Sequence, residues 1–226
     1  MGYQLQDVDI FNVDPSASDF ILSQAGSTLE SKIFGSVVFD SRDNVLLSHR
    51  GQRVTFSPFI AGGFLGGDTQ VYALDLEGSQ YFHLPKDLIL LINGEIATVS
   101  QWGNGTDVPI YERLFLGGSN NLRGFPFREV GPQQNGEPIG GQSMARTTVE
   151  LTFPIIEKAR GAVFYDTGFV NASQWSFGFN HIASDIGVGL RLDLPIGPLR
   201  LDYGYPIQRD GYNGGGHFNF NVGYQF

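Results

Sequence analysis

The chain closes on His217-Phe218-Asn219-Phe220-Asn221-Val222-Gly223-Tyr224-Gln225-Phe226, and the alternation in this stretch is unbroken. The even positions are Phe218, Phe220, Val222, Tyr224 and Phe226; the odd ones are His217, Asn219, Asn221, Gly223 and Gln225. Successive side chains of a strand point to opposite faces, so one face here is wholly apolar and the other polar or bare. The same period recurs upstream. Across 182–194, Ile182, Ile186, Val188, Leu190, Leu192 and Leu194 share a face broken only by Ser184, against Ala183, Asp185, Gly187, Gly189, Arg191 and Asp193. In 145–153, Ala145, Val149, Leu151 and Phe153 oppose Arg146, Thr148, Glu150 and Thr152. Weaker versions mark 3–12, 31–41, 52–61, 70–82, 87–100, 161–170 and 198–206. Together these make ten strands close in sequence, for which an antiparallel meander is the economical topology. No stretch reads as a convincing amphipathic helix.

Composition agrees. The 226 residues hold 31 Gly, 19 Phe, 9 Tyr and no Cys, with 16% charged and a net charge of −9. Glycine at about twice its usual share argues against a helical protein, since each interior glycine costs a helix about 1 kcal/mol. The aromatic and aliphatic content excludes disorder. The acidic balance argues against a nucleic-acid binder, and the lack of cysteine excludes a disulfide framework or thiolate metal site. The longest apolar run, Leu88-Ile89-Leu90-Leu91-Ile92, is far short of a membrane-spanning helix. Met1-Gly2-Tyr3-Gln4 has neither a basic start nor an apolar run, so it reads as a start residue ahead of a mature chain or an internal fragment.

A soluble sandwich carries its apolar side chains inside, whereas a membrane barrel turns them out to lipid and keeps polar groups and glycine within. The polar sets contain Gly187, Gly189, Gly204 and Gly223, small residues suited to a tight concave interior. Connections fall at 13–30, 42–51, 62–69, 83–86, 101–144, 154–160, 171–181, 195–197 and 207–216. With 42–51 as the middling case, each longer one is followed by a shorter one. This is the asymmetry of outer-membrane barrels, with short periplasmic turns and long external loops. Tyr81, Phe82, Tyr203, Tyr205, Tyr224 and Phe226 near strand ends read as interfacial girdles, or as ordinary rim packing. The expected fold is therefore all-β: a transmembrane antiparallel up-and-down barrel of about ten strands in a single domain over 1–226. A small channel or porin-like barrel and a soluble β-sandwich binding module are the alternatives.

The connection 101–144 is long enough to suggest function. It contains Phe115-Leu116-Gly117-Gly118-Ser119-Asn120-Asn121-Leu122-Arg123-Gly124-Phe125, then Gly131-Pro132 and Gly140-Gly141. This string resembles the long inserted loop of the outer-membrane protein assembly factor (BamA-like) family, and the likeness extends over essentially the whole chain. Asp40-Ser41-Arg42-Asp43-Asn44 with Arg50-Gly51 resembles a turn of that family, and Phe164-Tyr165-Asp166-Thr167-Gly168 one of its strands. Pro195-Ile196-Gly197-Pro198-Leu199-Arg200-Leu201-Asp202-Tyr203-Gly204 resembles its penultimate hairpin.

The resemblance implies a loop folded into the barrel lumen, its Arg123-Gly124-Phe125 tip held by Glu150 and Asp166. Alternation independently turns both carboxylates away from lipid: Glu150 shares a face with Arg146, and Asp166 opposes Val163, Tyr165 and Phe169. The terminal apolar residues Phe218, Phe220, Val222, Tyr224 and Phe226, an alternation rich in aromatics, resemble the signal read during barrel assembly. Members of the family generally have sixteen strands preceded by POTRA domains. The ten here match the C-terminal part, without the first six strands or a POTRA domain, so strand 3–12 is expected to close against 217–226. The implied partners are outer-membrane lipid, unfolded outer-membrane protein clients and a second copy through edge strands, with no nucleic acid. The implied location is the bacterial outer membrane.

Other chemistry is weaker. His49, His83, His181 and His217 have no metal spacing, and Gly62-Gly63-Phe64-Leu65-Gly66-Gly67 reads as a hairpin tip rather than a phosphate loop. Asp40 and Asp43 around Arg42 read as a hydrogen-bonded turn. Glu150 with Asp166 could imitate a carboxylate dyad, yet nothing resembles a substrate cleft. No enzyme activity, metal or cofactor is expected.

Overall fold

The computed structural model describes residues 1–45, 47–105, 107–179, 181–194, 197–209 and 211–222. Its strands are β1 (Gly2–Ile10), β2 (Gly26–Phe34), β3 (Val37–Asp40), β4 (Gly51–Phe56), β5 (Phe59–Ala61), β6 (Val71–Leu84), β7 (Leu88–Gln101), β8 (Gln133–Gln134), β9 (Glu137–Pro138), β10 (Ser143–Ile156), β11 (Ala159–Asn171), β12 (Ala183–Leu194), β13 (Gly197–Arg209) and β14 (His217–Val222). All but β8 and β9 belong to one twelve-stranded antiparallel sheet. They follow the ten expected paths, because β2–β3 and β4–β5 are two interrupted strands: β2 pairs with β5 and β3 with β4. The break falls at Pro58, which has no N–H to offer a ladder, while its carbonyl accepts from Gly35 N at 3.0 Å.

The registers prove which face is apolar. One row runs Phe82–Leu90–Leu151–Val163–Val188–Tyr203–Phe218 across seven strands. Five of these side chains are exposed, and Leu90 and Leu151 are half-buried. The adjacent row, Tyr81–Leu91–Glu150–Phe164–Gly187–Gly204–His217, lies on the other face. Glu150 is 7% exposed, whereas Val149 beside it is 37% exposed. A soluble sandwich would show the reverse. Strands β6, β7 and β10 to β13, of twelve to fourteen residues, are long enough to cross a bilayer at a tilt.

Several expectations are corrected. Tyr81 sits in the inner row and is no girdle residue, whereas Phe82, Tyr203 and Tyr205 are exposed on the outer face; Tyr224 and Phe226 lie outside the described residues. Phe169 has outward parity but is buried, because Phe179 of the β11–β12 connection covers it edge-on at 5.6 Å. Ser184 breaks the alternation of its strand because the register with β13 shifts between Ser184 and Asp185, opposite Pro206, another residue without an N–H. A one-turn helix, α1 (Asp19–Ser23), capped by the Ser18 side chain, was not expected. The 102–142 connection also holds a hairpin, β8–β9, turned by Asn135-Gly136 with both φ angles positive. The expected closure of β1 on β14 is not found among the described residues, where these two strands are the sheet's edges. Asp7 and Asp9 on the outer face of β1 are the kind of charge that keeps an edge from pairing.

The longer connections all lie at one end of the sheet and the shorter at the other, with 41–50 the long member of the short end. The inner face is not polar throughout. Near the long-connection end, Ala97, Met144, Val170 and Ala183 pack against Leu116, Leu122, Phe125 and Val130. Beside them Ala61, Val71, Ala73 and Val99 pack against Val108. Core packing is thus supplied by the 102–142 connection, which needs apolar wall beneath it.

Candidate functional site

The tip of that connection is built locally. Asn121 Oδ1 accepts from Gly117 N and Leu122 N, each at 2.7 Å, and Gly118 N donates to Phe125 O at 3.0 Å. This knot turns Leu116, Leu122 and Phe125 into the apolar cluster, all fully buried, and sends Arg123 the other way. The wall opposite is bare: a Cβ on Gly204 would stand 2.6 Å from Gly124 N and 2.7 Å from Arg123 C. A Cβ on Gly124 would stand 2.5 Å from Asp185 Cβ. Backbone and wall approach so closely here that only glycine fits at both positions.

The structure brings together all three of the charged residues expected at the site. Arg123 Nε and Nη2 donate to Asp166 Oδ2 and Oδ1 at 2.8 and 2.9 Å, a bidentate fork. Its Nη1 donates to Glu150 Oε2 at 2.6 Å, and the guanidinium carbon lies 3.4 Å from the Phe164 ring centroid. The Arg123 side chain is 4% exposed and Asp166 is completely covered. Burial by itself lowers a guanidinium's pKa, but Asp166, Glu150 and Asp202 outweigh it and hold Arg123 above its ordinary value. Thr148 adds a 2.8 Å donation to Asp166 Oδ1.

The cluster is larger than the motif. Arg191 on β12 donates to Glu150 Oε2 and Asp202 Oδ1, each at 2.7 Å, and Arg200 Nε lies 3.0 Å from Asp202 Oδ2. Asp185, fully buried, is the register partner of Asp166. Sequence reasoning had already placed Asp185 and Arg191 on the polar face; carrying parity one strand further would have found Asp202. A second contact, between Lys32 Nζ on β2 and Glu112 Oε1 of the connection at 2.8 Å, had no sequence signal. Phe218, Phe220 and Val222 are exposed on the outer face of β14, whereas Tyr224 and Phe226 fall outside the described residues. Among the described residues no cluster of three metal-type side chains occurs.

Long antiparallel strands with large apolar side chains outside and buried carboxylates inside define an outer-membrane β-barrel protein. Residues 1–226 match the Omp85 superfamily domain, and the chain belongs to that superfamily. It is 29% identical over 233 residues to the outer membrane protein assembly factor BamA of Nitratidesulfovibrio vulgaris, covering 100% of this chain and 29% of that protein. It is 33% identical over 169 residues to the sorting and assembly machinery component 50 homolog of Bos taurus, covering 70% and 34%. The chain thus spans about a third of the length of these curated relatives. A crystal structure of BamA from Haemophilus ducreyi lacking POTRA domains 1–3 superposes with a TM-score of 0.75 at 21% identity, over 96% of this chain and 46% of that one.

Proposed function

We propose that this chain is a strand-bearing part of an assembly barrel of the bacterial outer membrane. It has no enzymatic activity and supports insertion and folding of outer-membrane proteins. Arg123, Gly124 and Phe125 seat the long connection on the inner wall through Glu150 and Asp166. The terminal strand offers an apolar face to lipid and a free edge to client strands. The bacterial assignment is favoured by the match to a bacterial relative along the whole of this chain. The observation carrying the proposal is the buried Arg123–Asp166–Glu150 cluster, which keeps a forty-residue connection folded inside instead of free in solvent.

The test is a folding assay. A urea-unfolded barrel protein is added to liposomes with and without the refolded chain, and faster appearance of its heat-modifiable form is the expected result. Equal rates in the two preparations overturn the proposal. A channel reading draws support from a cavity of about 180 Å³ beneath the tip, lined by Arg42, Arg53, Asn93, Arg146 and Arg200 among others. A steady bilayer conductance that rises on deletion of 115–130 would move the assignment to a plugged channel.

A further inference from the structure

Every described inward-facing residue of the last strand meets the long connection or a residue packed on it. Asn219 Nδ2 donates to the backbone carbonyl of Arg123 at 2.8 Å. Asn221 Nδ2 donates to Asn120 Oδ1 at 3.2 Å. His217 Nε2 lies 2.7 Å from the Tyr212 hydroxyl, and the Tyr212 ring packs on Phe125 at 5.4 Å between centroids. On β13, Arg200 Nη2 donates to the carbonyl of Ser119. The tip is thus bonded by its guanidinium to β10 and β11 and by its backbone to β13 and β14.

Among the described residues the last strand's other hold is its ladder with β13. Among the described residues it pairs with β13 at six positions, Leu199↔Val222 to Gly204↔His217, whereas β12 and β13 share twelve. Its other edge has no partner strand among the described residues. Its outer face carries Phe218, Phe220 and Val222, all exposed. An edge strand with one ladder lies at the low end of local stability, where one side-chain bond changes the opening equilibrium measurably.

We propose that Asn219 is a positioning residue: through the Arg123 carbonyl it ties the terminal strand to the loop tip, so that seating of the tip sets the register and tilt of the strand's free edge. This rests on the reading above that an extended client strand is received at that edge. An edge must hold a fixed line of N–H and C=O groups to template another strand, and the tip supplies that fixity from inside, where it leaves the edge itself unobstructed. Arg123, whose guanidinium is held by Asp166 and Glu150, is also the residue whose carbonyl Asn219 reads.

The test is amide hydrogen exchange on the full chain refolded in detergent or liposomes, without client. In Asn219→Ala, amides of 217–222 should exchange about three- to tenfold faster, the range expected for one lost hydrogen bond, while those of β10 and β11 stay unchanged. The same substitution made in Arg123→Ala should add nothing, because the tip has already left; should Arg123→Ala fail to refold, Asp166→Asn, which weakens the seat, is the background in which Asn219→Ala should add less than it does in the unaltered chain. Unchanged exchange in Asn219→Ala, or an equal acceleration in both backgrounds, overturns the proposal, since either outcome makes Asn219 a local residue. The measurement needs no client, so its outcome is separate from that of the folding assay.

Discussion

Two arginines on the inner face look alike in sequence and do different work. Arg146 lies on β10 and reaches Glu95, Asn93 and Glu77 at 2.5, 2.6 and 2.9 Å. Glu95 is its register partner and Glu77 is the register partner of Glu95, so the network is a rung laid across three neighbouring strands. Arg123 comes from a connection and meets carboxylates on strands with which it shares no ladder. The rung stiffens a sheet that backbone pairing already holds; the Arg123 cluster supplies an attachment that no backbone pairing provides. Similar ion pairs therefore carry different weight according to what else joins their partners.

Substitutions sharpen that contrast. The largest effect is expected for Arg123→Ala. Removing one side of a buried pair typically costs about 3–5 kcal/mol because it strands uncompensated charge. Protease cleavage within 115–130 should become fast while the strands stay protected, and unchanged cleavage would count against the attachment. Asp166→Asn keeps shape and one acceptor, so a loss of about 1.5–3 kcal/mol is expected, read by denaturant unfolding in detergent. Gly204→Ala adds a methyl against Gly124 N and the Arg123 backbone, neither of which is a flexible side-chain end. About 1–3 kcal/mol is expected for such overpacking, with loop cleavage raised although no charge is altered. Arg146→Ala should cost about 1 kcal/mol and leave loop cleavage at its original rate; an equal effect on the loop would erase the distinction between the two arginines.

The smallest effect is with pH at the short-turn rim. Asp43 is held below the usual carboxylate value by backbone N–H groups of Arg50 and His49, and Asp87 by Arg160 and His83. A depressed folded-state pKa contributes stability that is present above the unfolded value, about 3.9, and disappears as pH falls through the folded one. Exchange in 41–50 and 85–87 should rise below about pH 4 and be insensitive there in Asp43→Asn for the 41–50 turn.

Much of the sheet was legible because the signal is local. Alternation at 217–222, 183–194 and 145–153 fixes face and strand at once, and parity alone put Glu150 and Asp166 inside. Tyr81 was misread because an aromatic near a strand end fits a girdle by type, while its face is decided by register with Leu91. The β8–β9 hairpin carried its own Asn135-Gly136 signal, overlooked beside a longer motif. The meeting of Arg123 with Glu150 and Asp166, 27 and 43 residues away, has no periodicity to betray it; family resemblance supplied it. Lys32 with Glu112 stayed invisible because neither lies in a recognisable pattern.

The apolar patch under the loop also orders events. Leu116, Leu122 and Phe125 settle on Ala97, Met144, Val170 and Ala183, contributed by β7, β10, β11 and β12. That seat is complete only when three strands downstream of the loop have joined the sheet. A segment in the middle of the polypeptide is therefore among the last to find its place, and until then its greasy side chains look for cover elsewhere.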